Sequence, residues 1–279
     1  MKKRTINQDI IMRFSDALRE DEKSNATIRK YTHDVNAFSE FLGDRQLNKH
    51  EVISYKKHIA QAYAPTSVNS MLVSINSFLE HNEMSEYKVK LIKIQRQLFI
   101  NEKKELETEE YKRLLMASYG TRMELVLQTI CETGIRVSEL EFITVEAVKY
   151  GKAIVDCKNK TRVILIPSYL RNILLEYADK VGIKSGVVFV TRSGKPLNRS
   201  NIWRDMKVLC TKADIDPEKV YPHNLRHLFA RTFYSMDRDI VRLADMLGHS
   251  SINTTRIYTV ESGKEHINSL DKMHDILTT

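Results

Sequence analysis

The sequence predicts a mainly α-helical protein of two domains, with a small antiparallel β-sheet confined to the second. Three observations carry that reading. Nine glycines and five prolines in 279 residues fall well below average usage, so turns are few. Apolar residues recur at spacings of three and four through the first eighty positions and again after residue 106, the period of amphipathic helices. Short apolar runs of strand type, bounded by turn residues, appear between residues 153 and 190. The length corresponds to two domains at about 150 residues each, and 42% hydrophobic residues suffice for two cores. These figures exclude collagen-like and low-complexity chains.

Four helical patterns fill the first eighty residues. Ile10, Ile11, Phe14 and Leu18 mark a helix over 7–20. Ile28, Tyr31, Val35, Phe38 and Leu42 mark a second, with Ser24 as N-cap and Gly43 as stop. The third carries Val52, Tyr55, Ile59 and Tyr63 and is ended by Pro65; Thr66 opens a fourth through Val68, Leu72, Ile75 and Leu79. Residues 83–105 alternate lysine with apolar groups and read as an extended or short-strand connection. The second unit begins at Leu106. Thr108 caps a helix through Tyr111 and Leu114, a further helix runs from Met123 to its stop at Gly134, and Ser138 to Glu141 fits a capping box. Ala153 to Val155 and Val163 to Ile166 read as paired strands around a turn at residues 158–161, and Val187 to Val190 as a third strand before a Ser193-Gly194 turn. The chain after Asn198 reads as helical. The boundaries expected are 1–85 for a helical unit suited to a DNA clamp or to protein docking, 86–105 for a basic linker and 106–279 for the second domain.

The formal net charge is +8, which makes nucleic acid the default partner class, because phosphate neutralisation dominates such binding. No apolar run approaches the roughly 20 residues of a membrane helix, and none long enough for a signal peptide follows the basic start Met1-Lys2-Lys3-Arg4; a cytoplasmic, membrane-free protein is expected. Cys131, Cys157 and Cys210 form no paired motif, so neither a zinc ribbon nor a disulfide framework is expected.

Several residues stand out for chemistry. Arg136 lies in a tight turn between helices, within Thr133-Gly134-Ile135-Arg136, with Glu139 three residues on. His223 and Arg226, spaced i,i+3, share a face of the helix opened by Pro222. His227 lies four residues after His223, as in zinc-binding helix pairs, but no third ligand is evident. His249 follows a helix C-terminus at Gly248, and Tyr258 comes nine residues later.

Taken as an ordered set, the stretches ETGIRVSEL, CKNKTRVILIP, HNLRHLFA and LGHSSINTTRIY resemble the catalytic signature of the tyrosine recombinases, the phage-integrase and Xer-like family of site-specific DNA recombinases. The resemblance covers residues 106–279; the first four helices look like the family's core-binding domain by architecture alone. It implies a two-domain, C-shaped clamp on double-stranded DNA and cleavage by a tyrosine through a covalent 3′-phosphotyrosyl link. It assigns Arg136, Arg226 and His249 to the phosphate, His223 to the proton of the phenol, Tyr258 to the attack and a hairpin lysine to the leaving 5′-oxygen. Because the hairpin is one residue shorter than the family's, that lysine is Lys158 or Lys160, with Lys158 preferred. Glu139 is suited to orienting the basic groups.

The link conserves bond energy, so neither ATP nor a metal cofactor is required. Two duplexes need four active sites, which implies a homo-tetramer on DNA. The apolar stripe of Ile267, Leu270, Met273, Ile276 and Leu277 is suited to docking in trans on a neighbouring subunit, and accessory DNA-bending or directionality factors remain open. The rival readings are a type IB topoisomerase, which reseals the same strand, and a catalytically silent DNA-binding protein of the same fold.

Overall fold

The structure is a computed structural model and describes residues 6–94, 104–157, 160–258 and 273. The chain divides into two compact units, Met1–Arg96 and Gln97–Thr279.

The first unit is built on four helices: α1 (Gln8–Glu20), α2 (Asn25–Leu42), α3 (Lys49–Ala62) and α4 (Pro65–His81). Polar caps start the first three, with Asn7, Ser24 and Asn48 accepting backbone N–H groups of the first turn. Pro65 does not terminate α3, which ends at Ala62; it opens α4 instead. A proline is well placed there, since its missing N–H falls where a helix has no partner to offer. The apolar stripes meet in one core, where Phe14 and Phe78 pack edge to face at 5.4 Å and Phe38, Leu72 and Ile75 are fully buried. One carboxylate sits inside: Asp34 pairs with Lys30 at 2.6 Å and accepts from Ser74 at 2.7 Å.

After a 3-10 turn at Ser85–Tyr87, the connection that reads as extended or short-strand takes the extended form. Residues 88–94 run extended along the bundle with Val89 buried. Side-chain amides take the place of a partner strand. Asn76 accepts from the Val89 N–H at 3.0 Å and donates to its carbonyl at 2.9 Å, while Asn69 does the same for Ile92 at 2.7 and 2.9 Å. Lys56 adds a bond to the Lys90 carbonyl at 2.6 Å. The backbone groups of Val89 and Ile92 are thereby paired without a ladder.

The second unit begins with α5 (Thr108–Ala117) and α6 (Arg122–Thr133). The cap of α5 is Glu107, one residue before the Thr108 expected, and its N–H is accepted by Glu110 at 2.8 Å. A 3-10 helix, Val137–Phe142, precedes α7 (Val145–Tyr150), and the capping box there centres on Arg136 and Glu139 rather than on Ser138. Strands β1 (Lys152–Cys157) and β2 (Lys160–Leu165) pair antiparallel with Val155 opposite Arg162 and Cys157 opposite Lys160. Lys160 and Thr161, expected in the turn, are thus strand residues. Ala153, Val155 and Ile164 face the core, whereas Ile154, Val163 and Leu165 face out.

The expected third strand over residues 187–190 forms only isolated bridges, Thr144 with Val187 and Val190 with Pro196. Pro196 has no N–H, so a ladder cannot propagate through it. The remaining helices are α8 (Ser168–Lys180), α9 (Arg199–Ala213), α10 (Pro222–Asp237), α11 (Ile240–Leu247) and α12 (Ile252–Thr255), followed by a 3-10 turn at Arg256–Tyr258.

Candidate active site

Four segments of the second unit converge: the turn after α6, the inner face of β2, the first turns of α10 and the chain from the end of α11 to Tyr258. Gly134 ends α6 with φ +62, and a side chain there would strike the ring of Phe229 on α10. That close crossing lets Arg226 donate a hydrogen bond to the Gly134 carbonyl. Arg226 is 2% exposed and also donates to the Leu247 carbonyl at 2.7 Å and to His249 Nε2 at 3.1 Å. Burial, with Arg136 and Arg162 nearby, lowers its pKa to about 10, so it is charged at neutral pH.

Glu139 organises the cations. It is buried and accepts from the Arg136 backbone N–H at 2.9 Å, from the Arg136 guanidinium at 2.8 Å and from Arg162. Burial pushes its carboxyl up, but these donors outweigh burial and hold it below the usual carboxylate range. The Arg136 side chain remains 43% exposed and open to a ligand.

His249 sits on a two-bond helix terminus. Gly248 takes φ +64, and the His249 N–H returns to the Ala244 carbonyl at 3.0 Å. A guanidinium only donates, so Nε2 of His249 accepts from Arg226; Nδ1 then carries the proton and donates to the buried Thr255 hydroxyl at 2.9 Å. Tyr258 is buried among Phe229, Leu243 and Leu247, its ring stacked on His249 at 5.9 Å and met edge-on by His227 at 4.7 Å.

The structure therefore brings Arg136, Glu139, Arg226, His249 and Tyr258 together, with His223 beside His227 at 4.6 Å between ring centres. Lys158 lies outside the described residues, as do the Lys160 side chain and the tail positions Ile267, Leu270, Ile276 and Leu277. Met273 is half exposed. Among the described residues no group of three His, Cys, Asp or Glu side chains is arranged to hold a metal ion.

Two site residues escape the motif reading, Arg162 and Thr255. Arg162 bonds Glu139 and the Met246 carbonyl, the latter at 3.1 Å, and any side chain at Gly248 would collide with it. It thus clasps the hairpin to the turn that carries His249. Its signal was the strand alternation, which puts it on the same inward face as Ile164. Guanidinium groups gathered around one carboxylate leave a net positive pocket beside a phenol, suited to a phosphodiester.

His223 and His249 are both held down to about 4, first by burial and then by the neighbouring cations or histidine, against an ordinary 6.5. Each is neutral at pH 7, and as pH falls the unfolded chain binds protons first. Stability is therefore complete above 6.5 and declines as pH drops toward 4. The thermal midpoint is expected to fall across that window, and less so in a His223→Gln, His249→Gln double variant. Equal slopes for the two proteins would contradict the assignment.

Comparison with known proteins places these features in a family. The phage integrase family profile matches residues 104–265, and that of the phage integrase N-terminal SAM-like domain matches residues 11–86. The chain belongs to the phage integrase family. It is 30% identical over 263 residues to tyrosine recombinase XerA of Thermococcus kodakarensis, covering 90% of both chains. It is also 30% identical over 267 residues to tyrosine recombinase XerD of Halalkalibacterium halodurans, covering 85% of this chain and 87% of that one. Among solved structures, a XerA recombinase crystal structure aligns over 95% of this chain and 98% of its own at 25% identity, with a TM-score of 0.53. A lambda integrase tetramer bound to a Holliday junction shares the fold, with a TM-score of 0.72 at 15% identity over 90% of this chain and 76% of its own.

Proposed function

We propose that this protein is a site-specific DNA recombinase that cuts and rejoins strands by transesterification on Tyr258. The observation that carries the reading is the convergence of Tyr258, Arg226 and His249, beside the Glu139-bound Arg136, in one buried and positively charged site. The phenol oxygen attacks the scissile phosphorus; a bond from tyrosine to the 3′-phosphate forms and the bond to the 5′-oxygen breaks. Negative charge grows on the non-bridging oxygens as the transition state is reached. Arg136 and Arg226 meet that charge with planar forks that are always ionised. The phenol gives its proton to His223, which is neutral and able to accept it. Lys158, or Lys160 in the alternative, protonates the departing 5′-oxygen. Attack by the 5′-hydroxyl of another strand reverses these steps and completes the exchange.

The bond energy is held in the phosphotyrosyl link, so neither ATP nor a metal enters the scheme. In this reading residues 1–85 form the core-binding unit, residues 86–105 the basic connection along the duplex and residues 106–279 the catalytic domain, acting on cytoplasmic DNA. Two duplexes cut on both strands need four tyrosines, which favours a homo-tetramer on DNA. An apolar groove of about 330 Å³, lined by Tyr111, Leu115, Leu228, Phe229, Phe233 and Met236, offers a seat for the apolar tail of a neighbouring copy. Accessory DNA-bending or directionality factors would act on this assembly.

The test is covalent trapping on nicked duplexes drawn from the DNA flanking the protein's own gene. A denaturant-resistant protein–DNA species that forms equally in chelator is expected. DNA that is bound without forming that species would return the protein to the class of silent binders. Ligation of the trapped strand to a second duplex separates recombination from resealing by a topoisomerase.

A further inference from the structure

Where the chain enters the second unit, residues 104–106 are tied to α10 at three points. Asn224 Nδ2 donates to the Lys104 carbonyl at 2.9 Å, Arg231 Nη2 donates to the Leu106 carbonyl at 2.6 Å, and the Glu105 carboxylate lies between two α10 side chains. Its Oε1 stands 3.7 Å from His227 Nδ1, and its Oε2 stands 3.6 Å from Arg231 Nε. These side chains are only 15%, 18% and 23% exposed, for Glu105, His227 and Arg231 in that order. Glu105 Oε2, His227 Nε2 and Arg231 Nε are nevertheless buried without a hydrogen-bond partner. The cluster is held by charge and packing, just beyond hydrogen-bond length. Burial pushes the Glu105 carboxyl up, but the facing His227 and Arg231 outweigh it and keep it below the usual carboxylate range.

His227 connects this cluster to the phenol. Its ring meets Tyr258 at 4.7 Å with the planes perpendicular, and meets His223 at 4.6 Å. Neither Glu105 nor His227 has a part in the scheme above. A phenylalanine would fill the same space against Tyr258 with no carboxylate behind it. What the imidazole adds is a polar edge that Glu105 can hold, fixing both its tautomer and its plane.

We propose that Glu105 and His227 are positioning residues for the nucleophile: Glu105 orients the imidazole through Nδ1, and the imidazole, edge-on to the Tyr258 ring, sets where the phenol oxygen stands. The inference rests on Tyr258 being the attacking group. Its leverage is geometric, because the oxygen sits at the far end of a rigid ring. A tilt of about 10° moves it by about 1 Å, a displacement on which rates depend steeply.

The test is a double-mutant cycle in the full-length protein with Glu105→Gln, His227→Phe and the pair together. Single-turnover formation of the covalent species on the nicked duplex is compared with equilibrium binding to the same DNA. Each single variant is expected to slow formation about 10- to 100-fold, with affinity unchanged within about twofold. The pair is expected to be no slower than either single variant, since both break one link. In parallel, the 19F resonance of 3-fluorotyrosine at position 258, assigned through Tyr258→Phe, is expected to move in Glu105→Gln. Should Glu105→Gln fail to fold, Glu105→Asp, which keeps the charge but shortens the reach, is expected to show an intermediate rate. A wild-type rate in His227→Phe, multiplying losses in the pair, an unmoved 19F resonance or a parallel loss of DNA affinity would each overturn the proposal. Absence of the covalent species in the unmodified protein would instead remove the reading of Tyr258 on which it rests.

Discussion

Tyr258→Phe is expected to abolish the covalent protein–DNA species while leaving binding to duplex DNA within about twofold, because binding draws on many phosphate contacts and the reaction on one oxygen. The substitution is conservative for the fold. The ring stays packed among Phe229, Leu243 and Leu247, and its contacts with His249 and His227 do not depend on the hydroxyl. What is lost is the polar contact of the phenol with Arg226. That change costs about 1–2 kcal/mol, and Arg226 keeps its bonds to the Gly134 and Leu247 carbonyls. A modest decrease in the thermal midpoint with complete loss of the covalent species is therefore the expected pair of results. Gel analysis after denaturation checks the second, and a species that persists in the variant would mean another side chain attacks.

Arg226→Lys should fail more broadly. The arginine spans three acceptors from different segments, the carbonyls of Gly134 and Leu247 and the imidazole of His249. A single ammonium cannot reach all three, so at least one buried carbonyl loses its donor at a cost of about 1–3 kcal/mol. The fork that the proposed scheme sets against a phosphate is lost as well. Cleavage is expected to fall about 10³-fold or more, and the thermal midpoint to fall with it. Single-turnover trapping and calorimetry separate the two effects. A variant that cleaves within tenfold of the unmodified protein would remove Arg226 from the charge-stabilising role proposed for it.

Much of the fold was legible because it is written locally. The 3-and-4 spacing from Ile28 to Leu42 needs only α2 itself to be read, and Ser24 and Gly43 mark its ends. Local signals misled where two neighbouring residues could serve the same purpose. Thr108 looks the better cap than Glu107, yet the Glu110 carboxylate three residues past Glu107 decides the start of α5. The apolar run at residues 187–190 has the composition of a strand, but its partner across the turn is Pro196. The motif residues were legible as an ordered set, and the geometry gathers those whose side chains it describes. Arg162, Thr255 and Glu105 were not: Arg162 and Glu105 owe their places to meetings between distant segments, and Thr255 owes its place to the turn that returns it to His249. Arg162 meets Glu139 and Met246, Thr255 meets His249 across a turn, and Glu105 meets His227.

The paired amides of Asn69 and Asn76 on α4 act as two pegs on a ruler. Seven helical residues advance about 10.5 Å, and the three steps from Val89 to Ile92 in extended chain advance about 10 Å. The two lengths are commensurate only for this count. One residue more or fewer between the pegs would set an amide against the wrong backbone group, and the alternation of an extended chain would turn an apolar side chain such as Val89 away from the core. An insertion or deletion between Val89 and Ile92 should therefore destabilise the first unit.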